Sequence, residues 1–314
     1  MFFWLLALVA QEATIRVPVR EVSTPVSVFT PGSQLLDGLT ESDFRVFDNE
    51  RLQNAHLDTE FEPISMVVAV ECDRAVRRSI PDIRRVPSVI ETLLLGVASD
   101  AAILSFNDEV HLLQTFTTSP ELLDKAMHGL VSSGSKSLAI NAALESIEML
   151  ASRPARRRRL LLMITQAGDS GSSARLGDVL AAAERADVRV FALTIPQFGS
   201  SAVEDSLRIS GTASGGGMGT LDLMNLIPAI QRGAKAVTGD DAISLLTQYT
   251  GGRQISFRGL HALETAMTAL GAEFHSEYHL RYTPDSNQPG WHRLRIEVNR
   301  KGAMVRARSG YFRD

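Results

Sequence analysis

Apolar positions follow two different patterns along this chain, and the change between them divides it. Met66-Val-Val-Ala-Val70 is an unbroken apolar run, the pattern of a strand covered on both faces. From Ile64 onward such runs alternate with stretches of helical period. Strands are expected over Ile64–Val70, Asp100–Phe106, Val110–Phe116, Arg159–Thr165, Val188–Ile195 and Gln254–Phe257. Helices are expected over Val86–Val97, Pro120–Val131, Ser137–Ala151, Leu176–Ala186, Ala242–Tyr249 and Leu260–Phe274. In the first helix Ile90, Leu93, Leu94 and Val97 share one face, and Pro87 and Pro120 suit first turns. This alternation implies an α/β domain, a doubly wound, mostly parallel sheet with helices on both faces.

Outside that region the period is two. Ile15–Val19, Val26–Phe29 and Phe44–Phe47 read as short strands, punctuated by Pro25, Pro31 and Gly32, with a turn at Asp48-Asn49 and a return from Arg51. Near the other end Ser276–Tyr282, His292–Val298 and Met304–Arg308 alternate again. The expected organisation is a leader over 1–12, a β module over 13–62, the α/β domain over 63–274 and a β segment over 275–314, with the two β ends packed together. The glycine-rich stretch Ser210–Thr220 follows no clear strand and lacks a phosphate-loop ending, so it reads as a surface insertion.

The leader is Met1-Phe-Phe-Trp-Leu-Leu-Ala-Leu-Val-Ala10, wholly apolar but too short to span a bilayer, which takes about 20 residues. It matches the apolar core of a secretory signal without the usual basic start, as a misplaced start codon would leave it. Export to the periplasm, cell surface or medium is the expectation, with no stable membrane span. A chain of 314 residues with net charge −4 gives no reason to expect a nucleic-acid partner. The basic run Arg156–Arg159 reads as a solvated helix end or loop. The single cysteine, Cys72, excludes an intrachain disulfide and has no identifiable base beside it.

Chemistry is expected where the apolar run of Ile64–Val70 ends, because ligands of open parallel sheets bind beyond the carboxyl ends of strands. That loop reads Glu71-Cys-Asp73-Arg-Ala75. Further along stand Leu39-Thr-Glu-Ser-Asp43-Phe44, Tyr278-His-Leu-Arg-Tyr282-Thr-Pro284, Gly290-Trp291 and Arg308-Ser-Gly310-Tyr311. Together with Phe106, Phe116-Thr117, Asn141-Ala142, Thr165 and Tyr249-Thr-Gly-Gly252, their order resembles the bacterial VWFA-related domain proteins over nearly the whole chain.

The resemblance implies a von Willebrand factor A (VWA)-like fold for 63–274 and a cation site built from Asp-x-Ser-x-Ser, a threonine and an aspartate. Position by position this chain offers Glu71, Asp73 and Ala75, then Ser137, then Gln166 with Asp169 nearby. Mg²⁺ requires near-ideal octahedral oxygens at roughly 2.0–2.1 Å. Glu71 is a methylene too long, Ala75 supplies no oxygen, and Gln166 is neutral. Glu71, Asp73 and Asp169 would still suit Ca²⁺ if they converged.

The expectation is therefore a degenerate site. The chain reads as a non-enzymatic, exported module that recognises a protein partner through the loops Glu71–Ser79, Ser132–Ser137 and Gln166–Ser173, with no bound cofactor. A divalent-cation-dependent adhesion module using Mg²⁺ or Ca²⁺ at an altered site is the alternative. A hydrolase with an unrecognised site is a further one, although no nucleophile–base pair can be named from the sequence and no Gly-x-Ser-x-Gly elbow appears. His275-Ser-Glu-Tyr-His279 has the wrong spacing for a zinc helix.

Overall fold

Strict apolar content in the middle of the chain produces a sheet buried on both faces. In the computed structural model, residues 21–59, 62–86, 98–154, 156–166, 168–196, 239–286 and 288–313 are described. The leader, the strand over 15–19, all but Val86 of the helix over 86–97 and the glycine-rich stretch lie outside them.

The described strands are β1 (Val22–Phe29), β2 (Phe44–Asp48), β3 (Arg51–Gln53), β4 (Ala55–Asp58), β5 (Ile64–Glu71), β6 (Asp100–Phe106), β7 (Val110–Thr117), β8 (Arg158–Thr165), β9 (Val188–Thr194), β10 (Gln254–Ser256), β11 (Tyr278–Tyr282), β12 (Gly290–Val298), β13 (Met304–Arg306) and β14 (Gly310–Arg313). The helices are α1 (Ile80–Ile83), α2 (Pro120–His128), α3 (Ala139–Ala151), α4 (Leu176–Arg185), α5 (Gly239–Tyr249) and α6 (Gly259–His275).

The central six-stranded sheet runs β10-β9-β8-β5-β6-β7. All its pairings are parallel except that of β6 with the edge strand β7. Successive side chains of one strand enter opposite cores, as the period of two requires. Met66, Val68 and Val70 join Leu160, Leu162 and Ile164 beneath residues of α1, α2 and α6. Val67 and Ala69 join Leu161 and Met163 beneath α3, α4 and α5. The fold is thus α/β with helices on both faces, and the chain leaves β5 to build outward on either side. That makes the β5/β8 boundary the topological switch point, where open sheets bind ligands.

The two β ends pair with each other. β13-β1-β11-β4 and β14-β12-β2-β3 form two four-stranded antiparallel sheets that share one apolar cluster, including Val26, Val46, Leu280 and Leu294. β4 and β14 were not distinguished from the sequence, being short and weakly patterned. The motif residues of this region are fasteners. The Tyr278 hydroxyl donates to the Leu36 carbonyl at 2.8 Å and accepts from the Leu39 amide at 3.1 Å. Asp43 accepts from the Thr40 amide at 2.8 Å and closes a turn. Gly310 has no room for a Cβ, which would run into the Trp291 ring and the His292 carbonyl.

A buried ionic seam joins this β module to the α/β domain. The side chains of Glu273, in the last turn of α6, and Glu277, two residues past it, are 1% and 0% exposed. Glu277 pairs with Arg158 of β8 and Arg189 of β9. Glu273 pairs with Arg306 of β13 and with Arg253 at 3.1 Å, and accepts from Ser27 of β1 at 3.1 Å. Three residues of the basic run, Arg157, Arg158 and Arg159, are therefore structural rather than solvated, while Arg156 is exposed. Arg157 donates to Ser65 and to the Ile64 and Ala98 carbonyls, and Arg159 to the carbonyls of Ala186 and Arg153. Apart from the Arg153 carbonyl, their destinations lie far away in the chain and leave no local signal of burial.

His279 of β11 sits in this seam near Arg158, Glu277, Arg189 and Asp58. Burial, then the charge of Arg158, pushes its imidazole down to about 4 from 6.5. Between those values the unfolded chain binds more protons than the folded one, so acid favours unfolding. Stability should fall as pH drops from about 6.5 to about 4, with His279 contributing on the order of 3 kcal/mol of that loss. Urea midpoints measured across this range for wild type and His279→Gln should show the shallower slope in the variant. Parallel slopes would refute the assignment.

Candidate functional site

The loops beyond β5, β6 and β8 meet at the switch point. β5 ends on Glu71, whose extra methylene carries its carboxylate across to β8. There it accepts from the Thr165 hydroxyl at 2.7 Å and the Gln166 amide at 2.6 Å. Burial pushes the Glu71 carboxyl above its ordinary range, against the lowering effect of hydrogen bonds from Thr165, the Gln166 backbone and Ser137. Glu71 thus clamps the two central strands together.

The next residues form a tight turn. Asp73 Oδ1 accepts from the amides of Ala75 at 2.8 Å and Val76 at 3.2 Å. Cys72 is buried, and burial followed by the charges of Glu71 and Asp73 pushes its thiol up to about 12. A thiol that high is not a nucleophile near neutrality. The Cys72 amide donates to the Phe106 carbonyl at 2.7 Å, and its carbonyl accepts from Ser133 at 2.8 Å. The Ser132 hydroxyl donates to the Asp73 carbonyl at 2.6 Å, and Asn107 reaches the Ser133 carbonyl at 3.1 Å.

The remaining candidate residues belong to a second knot. The Ser137 hydroxyl donates to the Gly168 carbonyl at 3.0 Å, and the Ser137 amide donates to the Ser170 hydroxyl at 2.8 Å. Asp169 Oδ1 accepts from the Ile140 amide at 3.1 Å and from the Ser172 hydroxyl at 2.6 Å. The Asn141 amide donates to Ser172 at 3.0 Å. Leu138, at the start of α3, has no capping side chain of its own. Asp169 and Ser172 instead supply acceptors for orphan amides of its first turn, and the Asp169 charge suits the positive helix end.

The structure thus brings Glu71, Asp73, Ser137 and the Gln166 backbone to one end of the sheet but does not gather the three carboxylates. Asp169 faces α3, contrary to the convergence considered from the sequence. Among the described residues no group of three His, Cys, Asp or Glu side chains is placed to hold a metal ion.

Asp108, after β6, was not singled out from the sequence. Its Oδ1 accepts from the amides of Ser135 at 3.0 Å and Lys136 at 2.7 Å. Those backbone bonds, and then the charges of Lys136 and Arg74, hold its carboxyl below the ordinary range. Gly134 beside it has φ +76°, and a Cβ there would meet Asp108 Oδ2 at 2.8 Å. A carboxylate two residues past a strand end, opposite a Ser-Gly-Ser turn, was the available signal.

No family model matches the chain, and no curated protein matches it. Solved structures do. A von Willebrand factor type A protein from Catenulispora acidiphila is 9% identical, with TM-score 0.49 over 93% of this chain and 73% of that one. BatB from Bacteroides thetaiotaomicron is 11% identical, with TM-score 0.44 over 68% of this chain and 97% of that one. An aerotolerance-related membrane protein from Bacteroides fragilis is 11% identical, with TM-score 0.43 over 68% and 98%. In this α/β domain the candidate residues sit at the carboxyl ends of β5 and β8 and in the loops before α3 and α4. No helix among the described residues is long and apolar enough to cross a membrane.

Proposed function

We propose that this is an exported, non-enzymatic recognition module whose VWA-like domain contacts a protein partner through the loops Glu71–Ser79, Ser132–Ser137 and Gln166–Ser173, without a standard bound metal. The observation that carries the reading is the use of the cation-position groups as internal ties. Glu71 accepts from Thr165 and Gln166, Asp73 from Ala75 and Val76, and Asp169 from Ile140 and Ser172. The Ser137 hydroxyl lies within hydrogen-bond reach of the Gly168 carbonyl at 3.0 Å and also bonds Glu71, and Ala75 has no side-chain oxygen. This donor set does not fit an octahedral dication, which would have to displace several hydrogen bonds to gain its ligands. The apolar residues at the start of the sequence support export, and the raised Cys72 thiol supports a non-enzymatic role.

Thermal unfolding tests the metal-free part. The midpoint should be the same with a chelator as with millimolar Mg²⁺, Ca²⁺ or Mn²⁺. A cation at about 100 times its dissociation constant would add roughly 2.7 kcal/mol and move the midpoint visibly. Such a shift would favour the cation-dependent adhesion reading.

A further inference from the structure

The loops beyond β5 and β6 carry both signs of charge, unevenly exposed. The acids at the end of β5 point inward. Glu71 and Asp73 are 2% and 7% exposed and accept from the protein's own donors. Their bases point outward. Arg74, Arg77 and Lys136 are exposed. Asp108 and Glu109 beyond β6 are exposed as well, Glu109 lying 3.6 Å from His111, so the turn after β5 presents an excess of cations rather than a face free of carboxylates.

The cations stand on a fixed frame. Arg74 and Arg77 belong to one turn, the Arg77 amide donating to the Arg74 carbonyl at 3.4 Å. That turn is tied to the Ser132–Ser133 segment by the Ser132–Asp73 and Ser133–Cys72 hydrogen bonds, at 2.6 and 2.8 Å. Asn107 holds the Ser133 hydroxyl at 3.0 Å. Lys136 follows three residues on, its stem lying over Gly171, where a Cβ would meet the lysine Cδ at 3.2 Å. Cations presented from an ordered frame lose less freedom on binding.

The face already holds one carboxylate. Asp108 is exposed, accepts from the Ser135 and Lys136 amides, and feels the charges of both Lys136 and Arg74. It shows that an acidic side chain fits between these cations. Val131, 68% exposed, adds an apolar contact at the margin.

We propose that Arg74, Arg77 and Lys136 form a docking surface for a short acidic segment of a protein partner. This rests on the recognition role proposed above and gives the partner its chemistry. Two features favour a short peptide over a nucleic acid or an anionic bilayer. The loops Glu71–Ser79, Ser132–Ser137 and Gln166–Ser173 contain no aromatic residue on which a base could stack. The chain carries net charge −4, so a polyanion extending past the patch meets repulsion.

The test uses the full chain and a fluorescein-labelled octaglutamate, read by fluorescence anisotropy at low and physiological salt, with octaglutamine as the control. Octaglutamate should bind, weaken with salt and be indifferent to chelator. Arg74→Glu, Arg77→Glu and Lys136→Glu combined should reduce affinity by about tenfold or more. Arg45→Glu, on the terminal β module, should leave it unchanged. Asp108→Asn keeps an acceptor for the two amides and removes the competing charge, so it should bind the peptide about threefold more tightly.

Equal binding by the triple variant would overturn the proposal, as would octaglutamine binding as well as octaglutamate. Tighter binding of phosphatidylserine vesicles or of an oligothymidylate would assign the face to a lipid surface or a nucleic acid and overturn it too. Should the triple variant unfold, the Asp108→Asn increase decides alone. Failure here with an unmoved cation midpoint refutes the acidic ligand only. A midpoint that shifts with cation refutes the metal-free reading beneath it.

Discussion

Glu277→Gln is expected to lower the unfolding free energy by about 3–5 kcal/mol, because it leaves two buried guanidiniums facing a neutral group. The Glu277 side chain is 0% exposed and pairs with both Arg158 and Arg189, whose side chains are 10% and 7% exposed. Burial alone would raise its carboxyl. Arg189 and Arg158 outweigh burial and hold it below the ordinary range. Glutamine keeps the shape and removes the charge, so packing loss does not enter. Urea unfolding gives the answer as a lower midpoint at unchanged slope. A loss under about 1 kcal/mol would mean that water, not Glu277, carries the compensation of those arginines. A second transition in the variant would show that the seam couples the β module to the α/β domain, because Arg158 and Arg189 lie in one and Ser27 and Arg306 in the other.

Asp48→Ala should cost a comparable amount, about 3–5 kcal/mol, by stranding three donors at once. Asp48 is 5% exposed. Its Oδ2 accepts from the hydroxyls of Tyr311 at 2.7 Å and Tyr282 at 3.1 Å, and its Oδ1 faces His292 Nδ1 at 2.8 Å. The other His292 nitrogen faces the Gln288 carbonyl at 2.8 Å, so both ring nitrogens meet acceptors. Burial holds both phenols well above their ordinary range, which keeps them as donors throughout the working pH. Asp48→Asn, which retains oxygen and volume, should cost less than Asp48→Ala. Denaturant midpoints of the two variants would check this order, and near-equal losses would mean that the carboxylate's acceptors are unimportant.

The sequence carried the core of this fold in the runs Met66–Val70 and Leu160–Ile164, whose continuous apolarity marks strands covered on both faces. Asp100–Phe106 was bounded without error, since Asp100 and Phe106 are sharp changes in pattern. Partners were not visible. β1 alternates like any edge strand, and nothing local tells that it lies between β11 and β13. The ionic seam was hidden for the same reason. A charged residue buried by a distant countercharge looks, in its own neighbourhood, like one in water.

The candidate site divides along this line. Glu71 and Asp73 could be placed because they follow a strand, and Glu71 at the switch point follows from topology. Asp169 could not. Its side chain serves the first turn of α3, about thirty residues earlier, and only tertiary structure sets that direction. The same holds for Asp108, whose donors are amides of a loop beyond β7 and α2.

The closing of the β module across the α/β domain has a consequence in time. Ser27 of β1 meets Glu273 across 246 residues of chain. At a synthesis rate of about 5–20 residues per second, β1 waits roughly 12–50 s on the ribosome before its partners exist. The α/β strands, whose neighbours arrive sooner, have that interval to fold alone. The nascent β1 spends it as an unpaired edge, and that is when this protein is most exposed to aggregation and most in need of a chaperone.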